Sequence, residues 1–198
     1  MRRTGLLFLA CAVSLFLLTG CGLGGGKGGG GGPSIYLTAT IKKGSTVVKS
    51  FNANAVKASL GVDVVWIAGG VTGDVALGIG FLRPSSVPAT LTIGDLYQGD
   101  EALATIMFSS GEEFDSDQPG GGGVLKITTL TGDRVAGEFT FKAATSYGSV
   151  LSADGKFNIP AGEWYYYNGS WHGSTTTGLS KENKTDIKEE IKKFVDKM

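Results

Sequence analysis

The chain is poor in residues that do chemistry. Its 198 residues include one histidine, His172, and two cysteines, Cys11 and Cys21. A metal site built on two histidines is therefore excluded. The nucleophile-elbow pattern G-x-S-x-G is absent. So is the phosphate-cradling G-x-x-x-x-G-K-[ST], because Lys27 is followed by Gly28. Charge of one sign is missing too: 18 basic residues balance 18 acidic ones. Without a basic field, nucleic acid is not an expected partner. The longest apolar run, Leu6–Leu18, falls short of the roughly 20 residues that cross a bilayer as a helix. These absences set the expectation of no catalytic residue, no metal and no cofactor.

What the N-terminus does contain is ordered. Met1-Arg2-Arg3 is a short basic start, and Leu6–Leu18 has the length of a secretion-signal core. Leu18-Thr19-Gly20-Cys21 follows and resembles the bacterial lipobox, a leucine and two small residues before a cysteine that takes a diacylglycerol. Cleavage before Cys21 removes Cys11 with the signal, so no internal disulfide can form. It also removes Arg2 and Arg3, leaving a net charge of −2. Acyl chains contribute about 0.8 kcal/mol per buried methylene, and two or more hold a protein at a membrane. Residues 22–32 are glycine except Leu23 and Lys27. With almost no side chains to bury, they are expected to form a coil tether, roughly 20 Å long on average with Pro33 included.

From Ser34 to Asn168 the pattern is that of strands. Residues 35–41 alternate Ile35, Leu37, Ala39 and Ile41 with Tyr36, Thr38 and Thr40. Residues 74–82 set Val75, Leu77, Ile79 and Phe81 on one face, and 134–143 set Val135, Phe139 and Phe141 opposite Glu138, Thr140 and Lys142. Such alternation predicts one face on a core and one in water. Further strands are expected at 46–51, 62–67, 90–94, 103–109, 125–130, 148–151, 155–159 and 163–167. Turn signals separate them, among them Gly73-Asp74, Gly132-Asp133 and Asp154-Gly155. The expected fold is mainly β, an antiparallel β-sandwich or small barrel, with one C-terminal amphipathic helix. That helix is read from Ile187, Ile191, Phe194, Val195 and Met198, with Thr185 as N-cap, and is expected to pack on the β domain. Segments 71–81 and 130–141 share an apolar-Thr-Gly-Asp start and a later glycine, which reads as two similar hairpins.

Two stretches stand out as candidate sites. Glu112, Glu113, Asp115 and Asp117 form an acidic loop, but Pro119 and Lys126 occupy ligand positions of a calcium loop, so the EF-hand pattern fails. The other is Glu163–Gly173, with Trp164, Tyr165, Tyr166, Tyr167 and Trp171. In a strand these rings divide between two faces, one for the core and one for a partner. Trp164, Tyr165, Tyr167 and Trp171 are the candidate binding residues. The competing reading puts them beneath the C-terminal helix. His172 lies between Ser170 and Ser174, but a triad is defined by geometry rather than by sequence neighbourhood.

Within 123–159, Gly123, Ile127-Thr128, Gly137-Glu138-Phe139-Thr140-Phe141 and Gly155-Lys156-Phe157 follow a G-x-[apolar]-x-I-T, G-x-F-x-F, G-x-F order. This resembles domain of unknown function 6252, found in small secreted bacterial lipoproteins. The resemblance covers about residues 34–160. It implies an exported, lipid-anchored β domain and supplies no catalytic residue.

The organisation expected from the sequence is a signal peptide at 1–20, a lipidated Cys21 with its tether to 33, a β domain at 34–168, and a loop and helix at 169–198. The expected protein is a cell-envelope lipoprotein held by its N-terminal lipid anchor, in the outer membrane because no aspartate follows Cys21. Its β domain serves binding or envelope structure, with an envelope protein or glycan as partner. The alternative is a barrel carrier that encloses a small apolar ligand, which calls for an interior cavity of a few hundred Å³.

Overall fold

A computed structural model describes residues 34–96, 98–174 and 187–198. The signal, Cys21, the tether and the Thr185 cap lie outside them. The described chain is mainly β, with a closed five-strand barrel, additional strands and a C-terminal helix.

The strands are β1 (Tyr36–Lys43), β2 (Thr46–Asn52), β3 (Ala55–Leu60), β4 (Val64–Val71), β5 (Val75–Leu82), β6 (Ala89–Ile93) and β7 (Ala102–Phe108). There follow β8 (Glu113–Asp115), β9 (Gly122–Leu130), β10 (Arg134–Ala144), β11 (Val150–Pro160), β12 (Gly162–Tyr167) and β13 (Ser170–Ser174). The helix α1 is Ile187–Val195. Pairing runs β13-β12-β3-β4-β5-β7-β6-β9-β10-β11-β1-β2. The short β8 bridges β7 and β10, which closes β6, β7, β8, β10 and β9 into a ring. All pairs in the sheet are antiparallel except the single β6–β7 bridge at Ile93 and Ala102.

Side chains fill the interior. Leu37, Ile41, Ile67, Leu77, Ile79, Phe81, Ile106, Phe141 and Phe157 are all essentially inaccessible to solvent and belong to one cluster. In the β9–β10–β11 half, the rings lie over glycines on neighbouring strands. Phe139 faces Gly155, Phe157 faces Gly137 and Phe141 faces Gly123. A Cβ at Gly155 would stand 2.5 Å from the Phe139 ring and 2.0 Å from the Thr38 carbonyl oxygen. Asp154-Gly155 is therefore no turn. The strand runs straight through it, and the glycine is the seat of a ring, as when an aromatic covers a bare glycine across strands. The two predicted strands at 148–151 and 155–159 are one, β11.

The β4–β5 hairpin departs from the expectation of one wet face. Its inward residues join the interior, but Val64, Trp66 and Ala68 on the outside are buried as well. They form a second core with Ala55, Leu96, Leu103, Ile191 and Phe194, under α1. Small outward residues make the space. A Cβ at Gly78 would lie 2.2 Å from Ile191 Cγ2. The glycine shared by segments 71–81 and 130–141 thus has two uses, since Gly78 faces outward to the helix and Gly137 faces inward to Phe157. Opposite orientations fit two independent hairpins better than a duplicated one.

Candidate functional site

The aromatic stretch forms a hairpin at the end of the sheet. Gly162, with a φ of 111°, turns the chain from β11 into β12. β12 pairs with β3 only from Gly162 to Tyr165, because β3 begins at Ala55. Along its other edge β12 pairs with β13 from Glu163 to Tyr167, with Trp164 opposite Gly173, Tyr165 opposite His172 and Tyr166 opposite Trp171. Asn168-Gly169 closes the hairpin with positive φ at both residues, 50° and 80°. This is the two-residue turn that Asn-Gly favours. That dipeptide between aromatic runs is the signal that identifies β13, so the sheet continues beyond residue 168.

Exposure grades along the hairpin rather than dividing by face. Trp164 and Trp171 are half-buried against the main core, on the same side as Tyr166. Tyr165, on the other side, is half-buried against the second core. Past the end of β3 the rings emerge, with Tyr166 46% and Tyr167 53% exposed. They are ordered by each other: Tyr166 meets Trp171 edge-on at 5.4 Å between centroids, and Tyr167 stacks on His172 at 3.8 Å. Of the four candidate binding residues, Trp164 and Tyr165 form the base, Trp171 braces the tip, and Tyr167 is at the tip. Tyr166, not among those four, is at the tip as well. Among the aromatics of the hairpin, Tyr165 alone joins the core beneath α1.

A polar network holds the base. The Tyr165 hydroxyl donates to Glu163, and Glu163 pairs with Lys57 at 3.6 Å. The Lys57 ammonium in turn lies 5.2 Å from the Trp66 ring centroid and 5.9 Å from that of Phe194. Burial, the hydrogen bond to Glu163 and the Glu163 charge, in that order, push the Tyr165 phenol up to about 12.

Ser170 Oγ and His172 Nε2 are 2.8 Å apart on one face of β13. A nucleophile with its base can look like this. Both residues are exposed, however, and among the described residues His172 has no carboxylate to orient its ring. The distance follows from strand geometry, which puts residues i and i+2 on the same side.

The acidic loop has a structural place. Asp115 is buried in β8, pairing through its backbone with both Thr105 and Ala144. Ser116 Oγ accepts from the Ala104 amide and donates to the Gly94 carbonyl, both at 2.9 Å. Glu113 lies 3.8 Å from Lys192 of α1. No three Asp, Glu, His or Cys residues converge on a common point among the described residues.

A trough of about 610 Å³ crosses the outer face of β2, β1, β11, β10 and β9. Threonines, lysines and acids line it, with Lys42–Asp154 at 2.9 Å near one edge and Lys126–Glu138 at 3.1 Å at the other. Most of its side chains are small or paired, and the rings among its lining residues, Phe51 and Phe139, are buried. The ordered aromatic hairpin is therefore the stronger candidate for contact. No family model, curated protein or solved structure matches this chain.

Proposed function

We propose that this is a lipid-anchored protein of the cell envelope, in the outer membrane, with a non-enzymatic β domain that makes contacts through the β12–β13 hairpin. The observation that carries the contact reading is the hairpin's extension past its partner strand, which leaves Tyr166 and Tyr167 exposed yet ordered by Trp171 and His172. Tyrosine and tryptophan bring large contact area at small entropic cost. A filled interior supports contact at the surface over a carrier that encloses a ligand. The anchor reading rests on Leu18-Thr19-Gly20-Cys21 and on the basic and apolar segments before it. The likeness of 123–159 to domain of unknown function 6252 is in keeping with it.

Palmitate labelling in a bacterial host tests the anchor. The natural chain takes the label and Cys21→Ser does not. Equal labelling of both would overturn the anchor.

A further inference from the structure

The tether enters the fold at Ser34, near the base of the aromatic hairpin, since Asn158, which the Ser34 carbonyl contacts, stands four residues before Gly162. The Ser34 carbonyl accepts from Asn158 Nδ2 at 3.0 Å, and Ile35 packs on the main core. Three residues after Ser34, the Leu37 carbonyl accepts the Ala53 amide at 2.8 Å. The neighbouring Asn54 carbonyl accepts the Tyr166 amide at 2.6 Å. Two hydrogen bonds and one peptide step therefore link Leu37 to Tyr166, which keeps their Cα atoms within about 15 Å. The β10–β11 turn, Thr145–Ser149, lies at the other end of β10 and β11, far from this entry point.

Composition agrees with position. From Trp164 to Ser174 the hairpin contains no Asp, Glu, Lys or Arg. Its exposed rings each have an apolar body and a polar edge, the combination enriched where membrane meets water. The geometry points to a lipid surface as the partner of this tip: Tyr166, Tyr167 and Trp171 rest at headgroup level when Cys21 anchors the chain. This inference rests on the anchor reading above. Residues 22–33 span at most about 40 Å when extended, so the anchor holds the tip near the bilayer at a high effective concentration. A weak ring–headgroup contact then suffices to orient the domain, with the Thr145–Ser149 end facing away. Because the tip has no Asp, Glu, Lys or Arg, its contact does not need anionic lipid and survives added salt.

The test uses residues 21–198 with Cys21→Ser, so that no acyl chain contributes, and vesicles of phosphatidylethanolamine with phosphatidylglycerol. Flotation should detect weak partitioning. Tyr166→Ser together with Tyr167→Ser should lower it by about tenfold, the consequence of losing two partly inserted rings. Fluorophores on Ser170→Cys and on Ser146→Cys report orientation, since both sites are exposed, one at the hairpin tip and one in the β10–β11 turn. Brominated lipids should quench the first and leave the second unchanged. No partitioning, equal partitioning of the double variant, or preferential quenching at position 146 would each overturn the inference. Retention on peptidoglycan without vesicle binding would assign the tip to a glycan and overturn it equally. Vesicle binding by a chain that takes no palmitate would sink the anchor and keep the tip contact, whereas palmitate labelling without vesicle binding would do the reverse.

Discussion

The two outer faces of the sheet differ, and the difference is a matter of where glycine points. Over β4 and β5 the glycines and alanines Ala68, Gly70, Ala76, Gly78 and Gly80 point outward, and a helix lies on them. Over β9, β10 and β11 the glycines Gly123, Gly137 and Gly155 point inward, and phenylalanines lie on them. The outward residues of that half are then free to be polar, and they line an open trough. One residue type thus builds a dry face in one half and a wet face in the other. Where the large side chains sit decides which substitutions each half can tolerate.

The largest effect is expected in the uncovered half. Phe139 is buried, packs beside Phe141 and Phe157, and covers Gly155. Phe139→Ala should cost about 3–5 kcal/mol in urea unfolding, as large-to-small aromatic changes in cores do. Adding Gly155→Ala should not rescue it, because the new Cβ would meet the Thr38 carbonyl as well as the vacated ring position. A cost below about 1 kcal/mol would show that the rings do not hold this half together.

In the covered half the same logic predicts a local failure. Gly78→Val places carbon where Ile191 now packs, an overpacking that costs about 1–3 kcal/mol. The helix should lift while the barrel stays, so amide exchange in α1 should quicken and that in β10 and β11 should not. Combining Gly78→Val with Ile191→Ala should cost less than the two separate effects together, by about 0.5–3 kcal/mol, because the residues share one space. Strict additivity would mean that Ile191 is not seated on Gly78.

These two faces also show what could be read from the chain beforehand. Alternation in 35–41, 74–82 and 134–143 was enough for β1, β5 and β10, since each buries its large residues on one side. The mainly β fold with a C-terminal helix follows from that pattern. It was not enough for β3, where Ala55, Val56, Ala58 and Leu60 mix both faces because two cores meet there. Nor could it show β8, three residues long and defined only by the strands it bridges. The seat of α1 was hidden for a similar reason: glycine and alanine leave no apolar stripe, so a buried face resembled an empty one. At the candidate site, the aromatic residues were legible, but their gradation from base to tip depends on where β3 ends, which is a fact of pairing.

The smallest effect concerns the rim of the covered face and is best seen in alkali. Tyr165 lies where β12 meets the second core, and its phenol is raised to about 12, first by burial and then by Glu163. An unfolded phenol ionises near pH 10. Below that value both states keep the proton, and the contribution of Tyr165 to stability is fully present. Between pH 10 and about 12 the unfolded chain loses the proton before the folded one does, so stability falls as pH rises. The natural protein should therefore lose Tm more steeply across this window than Tyr165→Phe, which has no proton to lose. Every other group is common to the two proteins, so the difference isolates this one. Glu163→Gln should reduce the extra steepness without abolishing it, because burial is the leading cause and remains. Parallel profiles for the natural chain and Tyr165→Phe would mean that Tyr165 stands in water like the tip, and the boundary between covered and uncovered faces would have to be drawn nearer to Trp66.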